Sequence, residues 1–183
     1  MLTILLGTNR PGSYTRRVVR HVDATYRDLG HTPTVIDLIE LPPEMFLPAA
    51  YETKPAALAP FIDSVLRATG LVVVTPEYNG GFPGVLKYFI DMLPFPQSLR
   101  GRPVCFVGLG AGEWGALRPV EQLQAIFGYR YALIYPERVF IRNCEDAIAE
   151  DGRFLDPTLK PRLRRQAEGF LRFVESVKNL APA

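Results

Sequence analysis

Cysteine and histidine are both scarce in this sequence, with two residues of each kind among 183. Cys105 and Cys144 do not form the closely spaced pairs that are typical of disulfide frameworks or metal sites. Cys105 lies inside an apolar run, where a free cysteine usually packs as a small hydrophobe. His21 and His31 lie in or near one predicted helix without a metal-ligating neighbour. We therefore expect neither a disulfide framework nor a metal centre.

Long hydrophobic runs are also absent. A membrane-spanning helix needs about 20 consecutive apolar residues, whereas the uninterrupted apolar runs here are only a few residues long. The opening segment, residues 1–6, has no basic segment before it and no small-residue cleavage site, so it lacks the features of a signal peptide. We read it as a first buried strand. We expect no membrane partner and a cytoplasmic protein.

The charge is nearly balanced, since 21 Lys and Arg against 19 Asp and Glu give a formal net charge of +2. The basic residues form no dense run with interleaved aromatics, which disfavours a nucleic-acid partner. One basic cluster, at residues 162–165, falls on the predicted last helix. We interpret that cluster as a solvated helix face.

Length and a hydrophobic fraction of 48% fit one globular domain over residues 1–183, with disorder expected only at residues 181–183. Short apolar runs alternate with stretches of helical period, which is typical of βαβ units with a parallel sheet. Strands are predicted at residues 3–6, 34–38, 71–75 and 104–108, with a fifth at either 132–135 or 139–141. The pattern predicts an α/β three-layer sandwich with a five-stranded parallel sheet.

Apolar residues at spacings of three and four predict helices between these strands. The glycines and prolines expected to mark helix ends are Gly30 and Gly70 after the first two, Pro83 at the start of the third, Pro119 and Gly128 around the fourth, and Pro157 or Pro161 at the start of the last. The third helix has a wide apolar stripe, which predicts contact with a second subunit as well as with the sheet. The proline-rich residues 40–60 lack periodicity and are predicted to form a long surface loop.

The first predicted strand leads into Gly-Thr-Asn-Arg-Pro-Gly-Ser-Tyr-Thr at residues 7–15. A loop that enters a helix leaves N–H groups free, and the positive end of the helix dipole favours an anion there. Thr8, Ser13 and Thr15 add hydroxyl groups, and Arg10 adds a permanent charge of the kind that pairs with phosphate. The spacing fits neither the P-loop nor the GxGxxG fingerprint. The alternative is a plain strand-to-helix turn with Ser13 as N-cap.

The turns after the third and fourth predicted strands have similar residue types. Residues 77–81 offer backbone amides, the Tyr78 ring and the Asn79 side chain, and residues 108–115 offer glycines and other small residues. In an open parallel sheet, ligands bind at the carboxyl ends of the strands. Three such loops at one sheet edge predict one extended ligand.

Three segments together resemble a known family: residues 7–13, the run Pro-Glu-Tyr-Asn-Gly-Gly-Phe-Pro-Gly-Val-Leu-Lys at 76–87 with Asp91 after it, and the glycine loop that ends at Arg118. This pattern resembles the NADPH-dependent FMN reductase family, which has a flavodoxin-like fold and includes quinone, azo-dye and chromate reductases. The resemblance implies bound FMN, NADPH or NADH as hydride donor, and a quinone or similar small molecule as acceptor. It also implies a homodimer or homotetramer.

The resemblance further implies which residues contact the cofactor. They are Thr8, Arg10, Ser13, Tyr14, Thr15, Pro76, Glu77, Tyr78, Asn79, Gly80, Gly110, Ala111 and Gly112. By the resemblance, the FMN phosphate would be held by Thr8, Arg10, Ser13 and Thr15, and the isoalloxazine would lie against Pro76, Glu77, Tyr78 and Asn79. The polar edge of the ring would be approached by Gly110, Ala111 and Gly112. No catalytic side chain is implied, because the flavin carries the chemistry.

Other interpretations stay open from the sequence alone. A flavodoxin-type electron carrier would share fold and cofactor, although such carriers usually have a strongly acidic surface. A non-enzymatic module that binds flavin or another phosphate ligand is a third candidate, because fold does not determine function. Lys87 and Asp91 fit either a surface pair or a subunit contact, and Trp114 fits either the substrate site or loop packing.

Overall fold

The computed structural model describes residues 1–178, so the disorder predicted at residues 181–183 lies outside the described part. The strands are β1 (Leu2–Leu6), β2 (Thr34–Asp37), β3 (Gly70–Pro76), β4 (Pro103–Leu109), β5 (Leu133–Ile134) and β6 (Val139–Ile141). The helices are α1 (Tyr14–Asp28), α2 (Ala59–Leu66), α3 (Gly84–Met92), α4 (Leu117–Tyr129), α5 (Cys144–Ala147) and α6 (Leu159–Ser176). None of these helices is both long and apolar enough to cross a membrane.

The strands form one parallel sheet in the order β2-β1-β3-β4-β5, which is the flavodoxin-like order. The fifth position holds two short strands in succession. β5 pairs with the start of β4 through Pro103 and Leu133, and β6 pairs with its end through Val107 and Val139. Both segments proposed for the fifth strand are therefore strands, and the predicted fold class is confirmed.

Successive side chains of the central strands point to opposite faces of the sheet and pack into two separate hydrophobic cores. Val72 and Val74 of β3 pack with α1 and α6 on one face, while Leu71 and Val73 pack with α2, α3 and α4 on the other. Cys105 in β4 is fully buried in the first core, and this burial raises the pKa of its thiol. The prediction of a core cysteine is confirmed, and the sheet is covered on both faces.

Most helix ends lie within two residues of their predicted positions. Gly30 follows α1 with a φ of +83°, a conformation that glycine adopts without strain. The bounds of α4 differ slightly from those predicted, since it begins at Leu117, two residues before Pro119, and ends at Tyr129, one residue after Gly128. The largest difference is at α2, which ends at Leu66, four residues before Gly70. Pro119 is accommodated because the first helical turn needs no N–H from it. Likewise, Pro83 precedes α3 instead of opening it.

The segment between β2 and α2 differs from the predicted surface loop. It contains four single-turn 3₁₀ helices, at Leu38–Glu40, Pro43–Phe46, Pro48–Tyr51 and Ala56–Leu58. Met45, Ala50 and Leu58 are buried in the same core as α2 and α3. Single turns of three or four residues leave no periodic pattern in a sequence, which explains why the prediction missed a segment that closes one core.

Candidate functional site

The loops that follow β1, β3 and β4 meet at the carboxyl edge of the sheet. The Thr8 and Tyr78 hydroxyl oxygens lie 2.9 Å apart and join the first loop to the second. The Glu77 N–H donates to the Leu109 carbonyl at 3.0 Å and joins the second loop to the third. The three segments singled out by sequence thus form one continuous surface.

The β1–α1 loop begins with a close approach of backbone to backbone. The Gly7 N–H donates to the Val74 carbonyl at 2.8 Å, and a Cβ at Gly7 would lie 2.7 Å from that oxygen. Only glycine permits this contact. At the far end of the loop, Gly12 has a φ of +65° and the Ser13 hydroxyl accepts the Arg16 N–H at 3.3 Å as the N-cap of α1. The N-cap interpretation of Ser13 is therefore confirmed.

The N-cap leaves most of the loop's donors open. Within residues 1–178, no hydrogen bond uses the backbone N–H groups of Asn9, Gly12, Ser13, Tyr14 and Thr15. Arg10 is exposed and the Thr15 side chain is buried without a hydrogen bond in the described part of the chain. Open amides at the start of a 15-residue helix, in a loop that also carries an exposed arginine, fit a phosphate group.

Tyr14, the first residue of α1, is partly buried and packs against the core formed by α1 and α6. The Arg17 guanidinium lies 4.4 Å from the centre of the Tyr14 ring, and Arg17 also donates to the Ala149 carbonyl at 3.2 Å. The ring is thereby held against the residues that follow α5. A contact between Tyr14 and a cofactor stays a prediction.

A tight hairpin follows Pro76, the buried last residue of β3. Tyr78 and Gly81 exchange two backbone hydrogen bonds, of 2.8 and 3.0 Å. Asn79 and Gly80 between them have φ values of 51° and 78°, the double positive φ that an Asn-Gly hairpin turn requires. The turn exposes Asn79 and fixes the backbone of Tyr78.

The Glu77 carboxylate faces the start of α4. Its Oε1 lies 3.8 Å from Nη1 of Arg118, whose side chain is 58% exposed. At this distance and exposure an ion pair contributes little stability. Glu77 therefore lies where the hairpin after β3 meets α4, but its ion pair with Arg118 contributes little to holding the two together.

The β4–α4 loop presents free backbone N–H groups beside two exposed side chains, Glu113 and Trp114. Gly110 is buried, its N–H donates to the Ile141 carbonyl and its own carbonyl accepts the Cys144 N–H, so it has no free donor. Ala111 and Gly112 are exposed. In the part of the chain that the structure describes, the four N–H groups of residues 111–114 have no hydrogen-bond partner. Such a run of amides suits a carbonyl or an anionic edge of a ligand.

Sequence reasoning missed one ion pair at this edge. Both terminal nitrogens of the Arg16 guanidinium donate to the Asp37 carboxylate, which also accepts the Ile39 N–H at 3.2 Å. The hydrogen bond with Asp37 raises the pKa of Arg16 above its ordinary value. Asp37 ties the first turn of α1 to the segment after β2. The available signal was an aspartate at the end of the second predicted strand.

Residues 1–146 match the family model described as NADPH-dependent FMN reductase. The chain belongs to the NADPH-dependent FMN reductase family. The resemblance inferred from the three segments is thereby confirmed, and the protein is an NAD(P)H-dependent flavin oxidoreductase. Family membership sets aside the electron carrier and the non-enzymatic module.

Individual relatives agree with this assignment. An FMN reductase (NADPH) from Pseudomonas aeruginosa is 29% identical, covering 88% of this chain and 85% of the relative. A quinone reductase from Escherichia coli is also 29% identical and covers 95% of both chains. Among solved structures, FerB, a flavoenzyme NAD(P)H:(acceptor) oxidoreductase from Paracoccus denitrificans, matches with a TM-score of 0.80 at 20% identity, over 96% of this chain and 97% of that one. The last match supports the fold alone.

Proposed function

We propose that the chain binds FMN across the three loops and uses it to reduce quinones or similar small acceptors with NADPH or NADH. One observation carries the proposal: two groups of N–H donors that have no partner among residues 1–178 lie at one sheet edge, at the start of α1 and in the β4–α4 loop. The first group fits the phosphate of FMN. The second fits the polar edge of its ring.

When bound, FMN supplies a ring that accepts a hydride from the nicotinamide and passes electrons to the acceptor. The chain's own residues bind and orient. Arg10 and the open amides of residues 12–15 would hold the phosphate dianion. The amides of Ala111 and Gly112 would offset negative charge at the N1 and O2 edge of the ring, as preorganised dipoles do. Pro76 and the hairpin after it would fix one side of the ring.

We propose that copies of this chain associate through α3 as a homodimer or homotetramer. Part of the apolar stripe of α3 is covered within one chain, since the Phe46 ring centre lies 4.9 Å from that of Tyr88. Phe46, Leu47 and Tyr51 are nevertheless about half exposed next to it. Lys87 pairs with Asp91 at 2.7 Å inside α3. Sedimentation equilibrium measures the oligomeric state, and a monomer at all concentrations would contradict the proposed association.

The cytoplasmic location stays a prediction from the sequence.

The proposed function is tested with the purified protein in an absorbance spectrometer. We expect a flavin spectrum after reconstitution with FMN, bleaching when NADPH or NADH is added without oxygen, and return of the absorbance when a quinone follows. A protein that takes up no FMN would contradict the cofactor assignment. A protein that retains FMN but is not bleached by either nucleotide would contradict the enzymatic assignment.

A further inference from the structure

Two hydroxyl groups from distant parts of the chain meet at the base of the candidate flavin site. Thr8, directly after β1 and Gly7, is completely buried. Its Oγ1 lies 2.9 Å from the hydroxyl oxygen of Tyr78, which is 70 positions further along the chain. The same Oγ1 accepts the N–H of Arg10 at 3.2 Å. Thr8 therefore joins the phosphate-side loop to the hairpin that follows β3.

The protons of this pair can be counted. Each hydroxyl has a single proton to donate and two lone pairs. One of the two protons is used in the bond between the hydroxyls. The other has no acceptor among residues 1–178. If Tyr78 donates, Thr8 accepts from both Tyr78 and Arg10, and its own O–H is left to point elsewhere. If Thr8 donates, the spare proton belongs to Tyr78.

The surroundings indicate what acceptor would meet the spare proton. Buried donors in folded proteins nearly always have a partner. The neighbouring groups on this loop are themselves donors or cations: the free amides of residues 12–15 and the Arg10 guanidinium. An acceptor shared by all of them is an anion with several oxygens, and a phosphate monoester dianion offers only acceptors.

The backbone conformation of Tyr78 is fixed without any ligand. Its backbone forms both hydrogen bonds of the hairpin with Gly81, and the residues after β3 cannot shift easily because Gly7 lies against the Val74 carbonyl. A hydroxyl held in this way restricts the rotation of the Thr8 side chain. Fixing a donor before the ligand arrives lowers the entropic cost of binding.

We propose that Tyr78 is a positioning residue for the FMN phosphate, acting through its hydrogen bond to Thr8. This inference rests on the proposed binding of FMN at this edge. It differs from the role expected from the sequence, in which Tyr78 lies against the isoalloxazine. A ring contact and a phosphate contact are separable, since the change Tyr78→Phe keeps the ring and removes the hydroxyl.

The test compares FMN with riboflavin, which has the same ring and no phosphate. Dissociation constants are measured by fluorescence titration of the flavin-free full chain. In Tyr78→Phe we expect FMN binding to weaken about tenfold or more, as for loss of a hydrogen bond that serves a charged group. Riboflavin binding should stay within about twofold, which is close to no change in free energy. Tyr129→Phe, at a tyrosine that is 78% exposed, is the matched control and should change neither.

Variants of Thr8 test the same hydrogen bond between Thr8 and Tyr78. They replace the Tyr78→Phe experiment if that variant does not fold. Thr8→Ser keeps the hydroxyl and should retain FMN affinity, whereas Thr8→Val should lose it. Because the two hydroxyls act as one unit, adding Tyr78→Phe to Thr8→Val should cause no further loss. Additive losses would overturn the link between the two residues.

The outcomes separate this inference from the proposed function. Equal weakening of FMN and riboflavin in Tyr78→Phe would place its role at the ring or in the fold, and would overturn the inference. No weakening of either would overturn it as well. If the wild-type chain does not bind FMN, or binds FMN and riboflavin equally, the proposed phosphate site itself is wrong.

Discussion

The β1–α1 loop and the β4–α4 loop both present N–H groups that lack a partner in the described part of the chain, and both lie at the same sheet edge, but they are built differently. In the first loop, Gly7 lies against β3, but a Cβ added at Gly12 would meet no atom of residues 1–178 within 4 Å, and side chains such as Arg10 supply further donors. In the second loop, a Cβ at Gly115 would lie 2.9 Å from the backbone of Ile141 in β6. Beyond Gly7 the first loop is open, whereas the Gly115 end of the second loop is packed against β6.

This difference separates what each loop's residues do. The first loop is fixed by the start of α1 and its Ser13 cap, so its exposed side chains are free to serve a ligand. The second loop is fixed by its own backbone, which bonds to Ile141 and Cys144. Substitutions at exposed positions of the first loop should therefore change binding, and a substitution at the packed Gly115 of the second loop should change stability.

The largest expected effect is that of Gly115→Ala. Gly115 has a φ of +54°, and the new Cβ would lie 2.9 Å from the Ile141 carbonyl carbon and oxygen. Overpacking together with left-handed strain should lower the free energy of unfolding by about 2 to 5 kcal/mol. The matched control is Gly112→Ala in the same loop, where the new Cβ has no described atom within 4 Å and the expected change is under about 0.5 kcal/mol.

Denaturant unfolding of the flavin-free protein measures the free energy of unfolding of both glycine variants. In thermal unfolding, a chain of this length with the Gly115→Ala change should have a Tm lower by roughly 5 to 15 °C. Similar stability for the two variants would mean that the packing against β6 does not fix the loop, and the contrast between the two loops would be lost.

Arg10→Ala should give the converse result. Arg10 is exposed and its side chain has no hydrogen-bond partner within residues 1–178, so the free energy of unfolding should change by less than about 0.5 kcal/mol. Losing a charge-assisted contact to phosphate should weaken FMN binding about tenfold. Riboflavin binding should not change. Fluorescence titration and denaturant unfolding measure the two quantities.

A control variant for Arg10→Ala is Arg20→Ala, which removes another exposed arginine, from the α1 helix. It tests whether a general loss of positive charge explains the result. Unchanged FMN affinity in Arg10→Ala, or the same loss in both variants, would show that the first loop does not use Arg10 for a specific phosphate contact.

The parts of the fold that have clear apolar runs in the sequence were predictable. Apolar runs located β1 to β4 closely, because buried parallel strands are nearly continuously hydrophobic. The fifth position was ambiguous because two short strands share it. The start of α4 was misplaced because Ala116, with a φ of 70°, turns the chain into the helix before Pro119. The residue types at this position do not predict a left-handed turn.

The site was predictable as three loops but not as a set of contacts. Strand ends and glycines locate a binding edge, because topology brings the carboxyl ends of parallel strands together. Which groups remain free depends on pairings between distant residues. The bond between Thr8 and Tyr78 and the ion pair of Arg16 with Asp37 join separate segments. The engaged amide of Gly110 is likewise visible only in the folded chain.

The smallest expected effect concerns the ion pair beside the packed loop. Arg118→Gln removes the contact of 3.8 Å with Glu77, and the free energy of unfolding should fall by less than about 1 kcal/mol because the arginine is mostly exposed. High salt, which screens exposed charges, should reduce even this difference in denaturant unfolding. Arg67→Gln is a control, since Arg67 is exposed to a similar degree as Arg118 and pairs with Asp63 at 3.9 Å, at the end of α2. If Arg118→Gln instead destabilises as much as Gly115→Ala, side-chain charge and not backbone packing holds the second loop, and the two loops are built alike.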